Sequence, residues 1–283
     1  MVATDLEPAA RASAAPARHP RRRGHGRFAY RVARVLMPLA VAGVFLLVWD
    51  AVALTAFAGK GYLLPDPASV AAAMKENIGL LLRATWDTFI ESAEGFVAGG
   101  AVGIALAVAM SLSRLVGDAL YPVAVVFQTV PVIAVAPILI LLLHYGRPAI
   151  IAIVVLVTFF PILSNTLGGL RDTNPNHAEL FRLYRASHLH VLWKLKFPQA
   201  LPATFAGFRI AAGLAVVGAT VGEFLIGETG GRPGLGVLLV TTQQELKTPL
   251  LFGAAGFATA LAVLFFLVVN WVARLVLHRW TAA

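Results

Sequence analysis

The chain has 283 residues, 59% of them hydrophobic and only 13% charged, with a mean hydropathy of +0.79 and a net charge of +9. A soluble domain of this length cannot hide that much apolar surface, so a bilayer is the solvent for most of the chain. The absence of cysteine excludes disulfide frameworks, thiolate zinc sites and cysteine nucleophiles.

Residues 1–34 are rich in Ala, Pro and Arg, with Arg21, Arg22 and Arg23 as the densest charge. They hold too few large apolar side chains to offset the entropy of ordering, and read as a disordered basic cytoplasmic tail before a membrane domain at 35–283. A cleavable signal peptide fits less well: the tail is long for its charged region, and the apolar run after Val35 exceeds its core. The remaining basic residues lie mainly in loops between apolar runs, a distribution that argues against nucleic acid as partner.

Six stretches reach the roughly 20 apolar residues that a spanning helix needs. They fall near 36–57, 87–110, 120–143, 148–169, 206–226 and 251–277, giving an all-α polytopic protein. The tail, the turn at Arg114, the 171–205 loop and the C-terminal end carry most of the Lys and Arg. The positive-inside rule therefore puts both termini and that loop in the cytoplasm, with the spans in the cell membrane. Trp49 and Tyr62 suit the outer interface, and Trp271 and Trp280 the inner one.

Charges in or near the spans include Asp50, Glu91, Glu94, Arg209 and Glu223. The first three lie within reach of an external interface, and Arg209 can snorkel to the internal one. Glu223, in GATVGEFLIG, has a gating and a structural-polar reading, both open. No carboxylate–histidine chain suggests a proton relay, and no metal or cofactor is expected. Gly95, Gly99 and Gly103 share one face of the second span, and Gly218 and Gly222 repeat the spacing in the fifth; such faces let helices pack closely.

The third span contains QTVPVIAVAP. Gln128 and Thr129 precede Pro131, and Pro137 follows; each proline removes a helix hydrogen bond. Freed polar groups at that depth are either packed against neighbours or line a wet pathway, and the pathway is the favoured reading.

The 171–205 loop contains AELFRLYRASHLHVLWKLKFPQALP. Asn174 can cap, Pro175 fits the first helical position, and Glu179 lies in the positively polarised first turns. Leu180, Phe181, Leu183 and Tyr184 form an apolar surface, while Glu179, Arg182 and Arg185 recur every three residues. Ala186 and Ser187 break the run, Ser187 can cap a second element, and that element fits helix and strand equally. Pro198 and Pro202 are expected to end it before the fifth span. The loop either lies on lipid as an amphipathic piece or is a socket for a cytosolic partner.

On these residues the loop resembles the cytoplasmic coupling loop of permease subunits of ABC importers. Glu179 takes the place of that motif's Glu, Leu180 and Phe181 the two alanines, Arg185 the glycine, Ala186 and Ser187 the following pair, and Phe197-Pro198 the Leu-Pro. Arg185 is the main departure, since a left-handed turn there costs a non-glycine residue about 1 kcal/mol or more. LLPDPASV, FQTVPVIAVAP, FFPILSNTLGGL, FAGFRIAAGLAVVGATVGEF and GLGVLL extend the resemblance over 35–280, to the sulfonate, taurine and nitrate type of importer permease. FQTVP and LAVVGATVGEF look nearest to branches for thiamine pyrimidines or riboflavin.

The resemblance implies a type I importer architecture: a permease pair (a homodimer here), cytosolic ATPases gripping the coupling loops, and an external solute-binding protein. The chain has no GxxxxGK[ST], so it is a transport subunit and not itself the ATPase. Two alternatives are a secondary transporter, which would show inverted repeats and an ion site, and a membrane-embedded enzyme, which would cluster His, Asp or Glu.

Overall fold

The computed structural model describes residues 25–57, 61–173, 175–227 and 233–281, and among them every regular element is helical. Arg21, Arg22, Arg23 and the Asn174 cap lie outside the described residues, as do the side chains of Arg182 and Trp280. Two compact units meet in sequence between Ala51 and Val52. The first contains most of α1 (His25–Thr55), which starts inside the segment expected to be tail. After Gly26 that stretch has no Gly or Pro until Pro38 and is rich in Ala and Arg, so nothing local stops a helix.

The second unit holds α2 (Pro67–Glu76), α3 (Ile78–Leu112), α4 (Arg114–Thr129), α5 (Val132–Leu143), α6 (Arg147–Arg171), α7 (Pro175–Leu183), α8 (His188–Val191), α9 (Phe197–Ile226), α10 (Leu235–Gln244) and α11 (Thr248–Thr281). Among the described residues, four helical segments are long and apolar enough to cross a membrane: α3, α6, His188–Ile226 and Thr248–His278. The bent pair α4 and α5 makes a fifth if counted as one, and the apolar stretch Ala40–Thr55 of α1 is shorter than the others. Against the six spans expected from the sequence, four to five are found among the described residues by length and composition.

The α6 helix is the centre of the unit, because glycine faces press on it from both sides. From α3, a Cβ at Gly95 would strike Val154, at Gly99 Thr158, and at Gly103 the Phe159 carbonyl oxygen. From α9, Gly218 meets Val157 and Val154, and Gly222 meets Ile150. Ile150, Ile153, Val154, Ile162 and Leu163 of α6 are fully buried as a result. The outer layer is α11, whose Phe265 packs on Phe89 and Phe96 of α3 with ring centroids 6.0 and 5.2 Å apart.

Two proline expectations are corrected. Pro198 and Pro202 do not separate the loop from the fifth span, since helix continues from His188 to Ile226. A π-helical turn at Leu192–Lys196 feeds directly into α9, with the Phe197 N–H donating to the Leu192 carbonyl. Pro198 then sits in the first positions of α9, where its missing N–H costs least. Pro131 does more than kink: α4 ends at Thr129, Val130 is extended, and α5 leaves at 101°. A residue before proline is driven out of the α region, which is the position of Val130. Pro122 and Pro137 stay inside helices.

Candidate functional site

Two regions of the second unit carry the unusual chemistry. The first is the α7–α8 turn. The Arg185 backbone has φ of +50°, left-handed, although the residue is not glycine. The Ala186 N–H donates to the Phe181 carbonyl at 3.0 Å, and the Tyr184 N–H to that of Leu180 at 3.2 Å. A six-to-one bond past a left-handed residue is a Schellman closure, which satisfies an orphan carbonyl of α7. Arg185 thus keeps the glycine's conformation, at a cost of about 1–2 kcal/mol. Ser187 then caps α8, its Oγ accepting from the His190 N–H at 3.3 Å.

The turn presents apolar surface outward. Leu180, Leu183 and Tyr184 are exposed, the last at 80%, and Phe181 is half-buried. Leu180, Phe181, Tyr184, Ala186, Ser187 and His190 line an open concavity of about 460 Å³. Glu179 and Arg185 are exposed, and neither is in an ion pair among the described residues.

The second region lies where α3, α9 and α10 meet. Glu223 is 2% exposed, with both carboxylate oxygens satisfied. Its Oε1 accepts from the Thr88 hydroxyl at 2.7 Å and its Oε2 from the Gly236 N–H at 2.6 Å. Thr88 in turn accepts from the Leu235 N–H at 2.9 Å. Two orphan amides at the start of α10 are therefore held by side chains from α3 and α9, and the helix dipole favours the anion there. The fit needs glycines. A Cβ at Gly234 would overlap the Glu223 carboxylate, and one at Gly236 would overlap the Thr220 carbonyl oxygen.

A polar cavity of about 90 Å³ adjoins this contact, lined by Asp87, Glu91, Arg147, Glu223 and Gly234 among others. Glu91, expected near an interface, is only 6% exposed. Arg147 donates to Glu94 at 2.6 Å, and that pair is half-exposed. Sequence reasoning singled out Glu223 and Glu91, the latter only as a charge near an interface, and missed Thr88 and Arg147. A signal existed: Thr88, Ser92, Gly95 and Gly99 lie on one helical stripe, so the glycine face continued upward leads to Thr88.

The break between α4 and α5 leaves Gln128, Thr129 and Pro131 exposed, with the Thr129 hydroxyl donating to the Val126 carbonyl at 2.8 Å. Their neighbours Phe127 and Val130 line an apolar concavity of about 460 Å³ against α3 and α6. Glu223 borders a different cavity and is not grouped with them.

Residues 99–282 match the family of binding-protein-dependent transport system inner membrane components. A probable ABC transporter permease protein of Haemophilus influenzae is 33% identical, over 87% of this chain and 97% of its own. The formylaminopyrimidine transport permease protein ThiX of Halalkalibacterium halodurans is 33% identical, over 82% and 91%. The riboflavin transport system permease protein RibX of Chloroflexus aurantiacus is 32% identical, over 87% and 90%. In fold, the chain is similar to the MetNI methionine ABC transporter in an inward-facing conformation, with a TM-score of 0.54, 20% identity, and coverage of 71% of this chain and 98% of the other. An importer permease is a transporter component rather than an enzyme, and its family implies an ATPase and a binding protein as partners. The chain belongs to the binding-protein-dependent transport system inner membrane component family, as a membrane-embedded permease subunit of an ABC importer for a small solute.

Proposed function

We propose that this permease carries a small neutral heteroaromatic solute, of the pyrimidine or flavin precursor class, and that α7–α8 is its ATPase socket. Two relatives are named for formylaminopyrimidine and riboflavin. The broken helix supplies the chemical support. Residues 115–143 contain one charged residue, Asp118, and no cation, whereas Gln128 and Thr129 offer an amide and a hydroxyl at the break. A path for sulfonate or nitrate calls for a cationic donor. Gln128, Thr129 and Pro131 line the path in this reading, and Glu223 is a fixed anchor beside it.

Two copies of the chain enclose the path as a homodimer, and apolar helix faces meet membrane lipid. The basic residues around α7–α9 support a reading in which that end and both termini face the cytoplasm and the binding protein docks on the outer face. The observation that carries the socket is the exposed apolar surface around the Schellman turn, held by a strained Arg185. One uptake assay with ATPase co-purification tests both parts. Phe181→Asp places a charge in the contact and is expected to lose ATPase and uptake together, with membrane insertion unchanged. Gln128→Leu is expected to lose uptake and keep the ATPase. Retention of both activities by Phe181→Asp removes the socket, and normal uptake by Gln128→Leu removes the pathway.

A further inference from the structure

The apolar concavity between α3, α4, α5 and α6 has a volume of about 460 Å³, and every side chain that lines it is apolar. Val102, Leu106 and Met110 stand one turn apart on its α3 wall, so the slot runs about 12 Å along that helix. One leaflet of a ~30 Å hydrocarbon core is about 15 Å deep, which gives the slot the reach of a lipid tail. Gln128 and Thr129 are not among its walls, so it is distinct from the path assigned to them.

One end of the slot carries charge. A Cβ at Gly117 would meet the Arg171 guanidinium at 2.7 Å and the carbonyl oxygen of Met110, a wall residue, at 3.1 Å. Leu120, another wall residue, lies about one turn on from Gly117. The guanidinium at the end of α6 therefore lies over the start of α4 at the mouth of the slot, in room that the glycine leaves. Asp118 follows Gly117 and Asp172 follows Arg171, and all three charged side chains are exposed. Among the described residues, none of the three is in an ion pair.

A slot that is apolar along its length and charged at one end has the pattern of a phospholipid. The signs of the charge narrow the headgroup. A net anionic one would meet two carboxylates for one guanidinium, whereas a zwitterion answers both signs. A primary ammonium donates hydrogen bonds to carboxylates, and a quaternary ammonium has no N–H to donate.

We propose that this slot is a binding site for phosphatidylethanolamine, with an acyl tail between α3, α4, α5 and α6, the phosphate on Arg171 and the ammonium on Asp118 and Asp172. A guanidinium suits a phosphate because its N–H groups can bond two oxygens at once.

The test is native mass spectrometry of the full-length permease, offered phosphatidylethanolamine, phosphatidylglycerol and phosphatidylcholine of matched chains. The wild type is expected to hold one phosphatidylethanolamine per chain about tenfold more tightly than either other lipid, the scale of a charge-assisted hydrogen bond. Arg171→Gln is expected to weaken that binding about tenfold. Asp118→Asn combined with Asp172→Asn is expected to erase the preference over phosphatidylglycerol. Val123 is an exposed wall residue, and Val123→Trp fills the slot and is expected to lose the bound lipid. Equal retention of the three lipids by the wild type, or unchanged retention in Arg171→Gln or Val123→Trp, overturns the proposal. So does a photo-crosslinker at Val123 that joins a second copy of the chain and no lipid. The wild-type ranking and Arg171→Gln decide the matter if Val123→Trp fails to fold.

Discussion

The two ends of the second unit treat polar and apolar groups in opposite ways. At the α10 end, a carboxylate is almost wholly buried, with both oxygens bonded and glycines cleared to admit a helix end. At the α7 end, large apolar side chains stand in the open around a turn that keeps a left-handed arginine. Burying a carboxylate is costly unless its hydrogen bonds are complete, and here the chain completes those of Glu223 by itself. Exposing Leu180, Leu183 and Tyr184 together forgoes burial worth about 25 cal/mol per Å², which a protein partner would restore in the proposed reading. Glu223 is satisfied within the chain, whereas in the proposed reading the α7 end is finished by another protein.

The sharpest way to break the contrast is to damage the finished end. Gly236→Ala drives a Cβ into the Thr220 carbonyl oxygen, which is backbone and cannot swing aside. The expected loss is about 3 kcal/mol, read as a lower unfolding temperature in detergent. An unchanged midpoint would mean that α10 does not seat on α9 as described. Arg185→Gly works in the other direction at the unfinished end. It relieves about 1–2 kcal/mol of left-handed strain against about 0.5–1 kcal/mol of glycine's extra freedom, so the turn gains at most about 1.5 kcal/mol. Slower exchange at the Ala186 amide is the expected readout; faster exchange would show that Arg185 holds the turn by contacts.

The smallest effect belongs to a partly buried contact that serves as a reference for both. Asp66 caps α2, its Oδ2 accepting from the Ser69 N–H at 3.0 Å. That amide holds the Asp66 carboxyl below its ordinary pKa. The sign follows directly: the cap contributes above the usual carboxylate range and is lost as pH falls through the lowered value. Exchange at Ser69 is expected to quicken only on acidification below that range, and Asp66→Asn to flatten the response. A response of equal size in Asp66→Asn would assign the pH dependence to another group.

Much of this was readable from local sequence. Ser187 as a cap and the glycine faces at Gly95–Gly103 and Gly218–Gly222 follow from residue type and spacing, while the cost of a non-glycine at 185 was implied by the resemblance to the coupling loop. What was not readable depends on distant partners. Glu223 stood out as a charge in an apolar run, but its donor Thr88 is 135 residues away and Gly236 belongs to a different helix, 13 residues on. Glu91 lies within three residues of Glu94, yet one is buried and the other half-exposed; the difference comes from which helix covers each face. Pro131 and Pro198 look alike in sequence. One follows a residue driven into extended backbone and breaks the helix, while the other falls after a π-turn that absorbs it. That choice is made by packing around α4 and α9.

The claim that α7–α8 is completed by a partner is tested most directly by a photo-crosslinker at Tyr184 in the assembled, transport-active complex. Tyr184 is 80% exposed and borders the concavity, so a reactive group there samples whatever fills it. The expected product is a covalent adduct with the ATPase subunit, lost when Phe181→Asp is added. Adducts with lipid alone, from a complex that still transports, would contradict the account and leave α7–α8 as an amphipathic piece resting on the membrane.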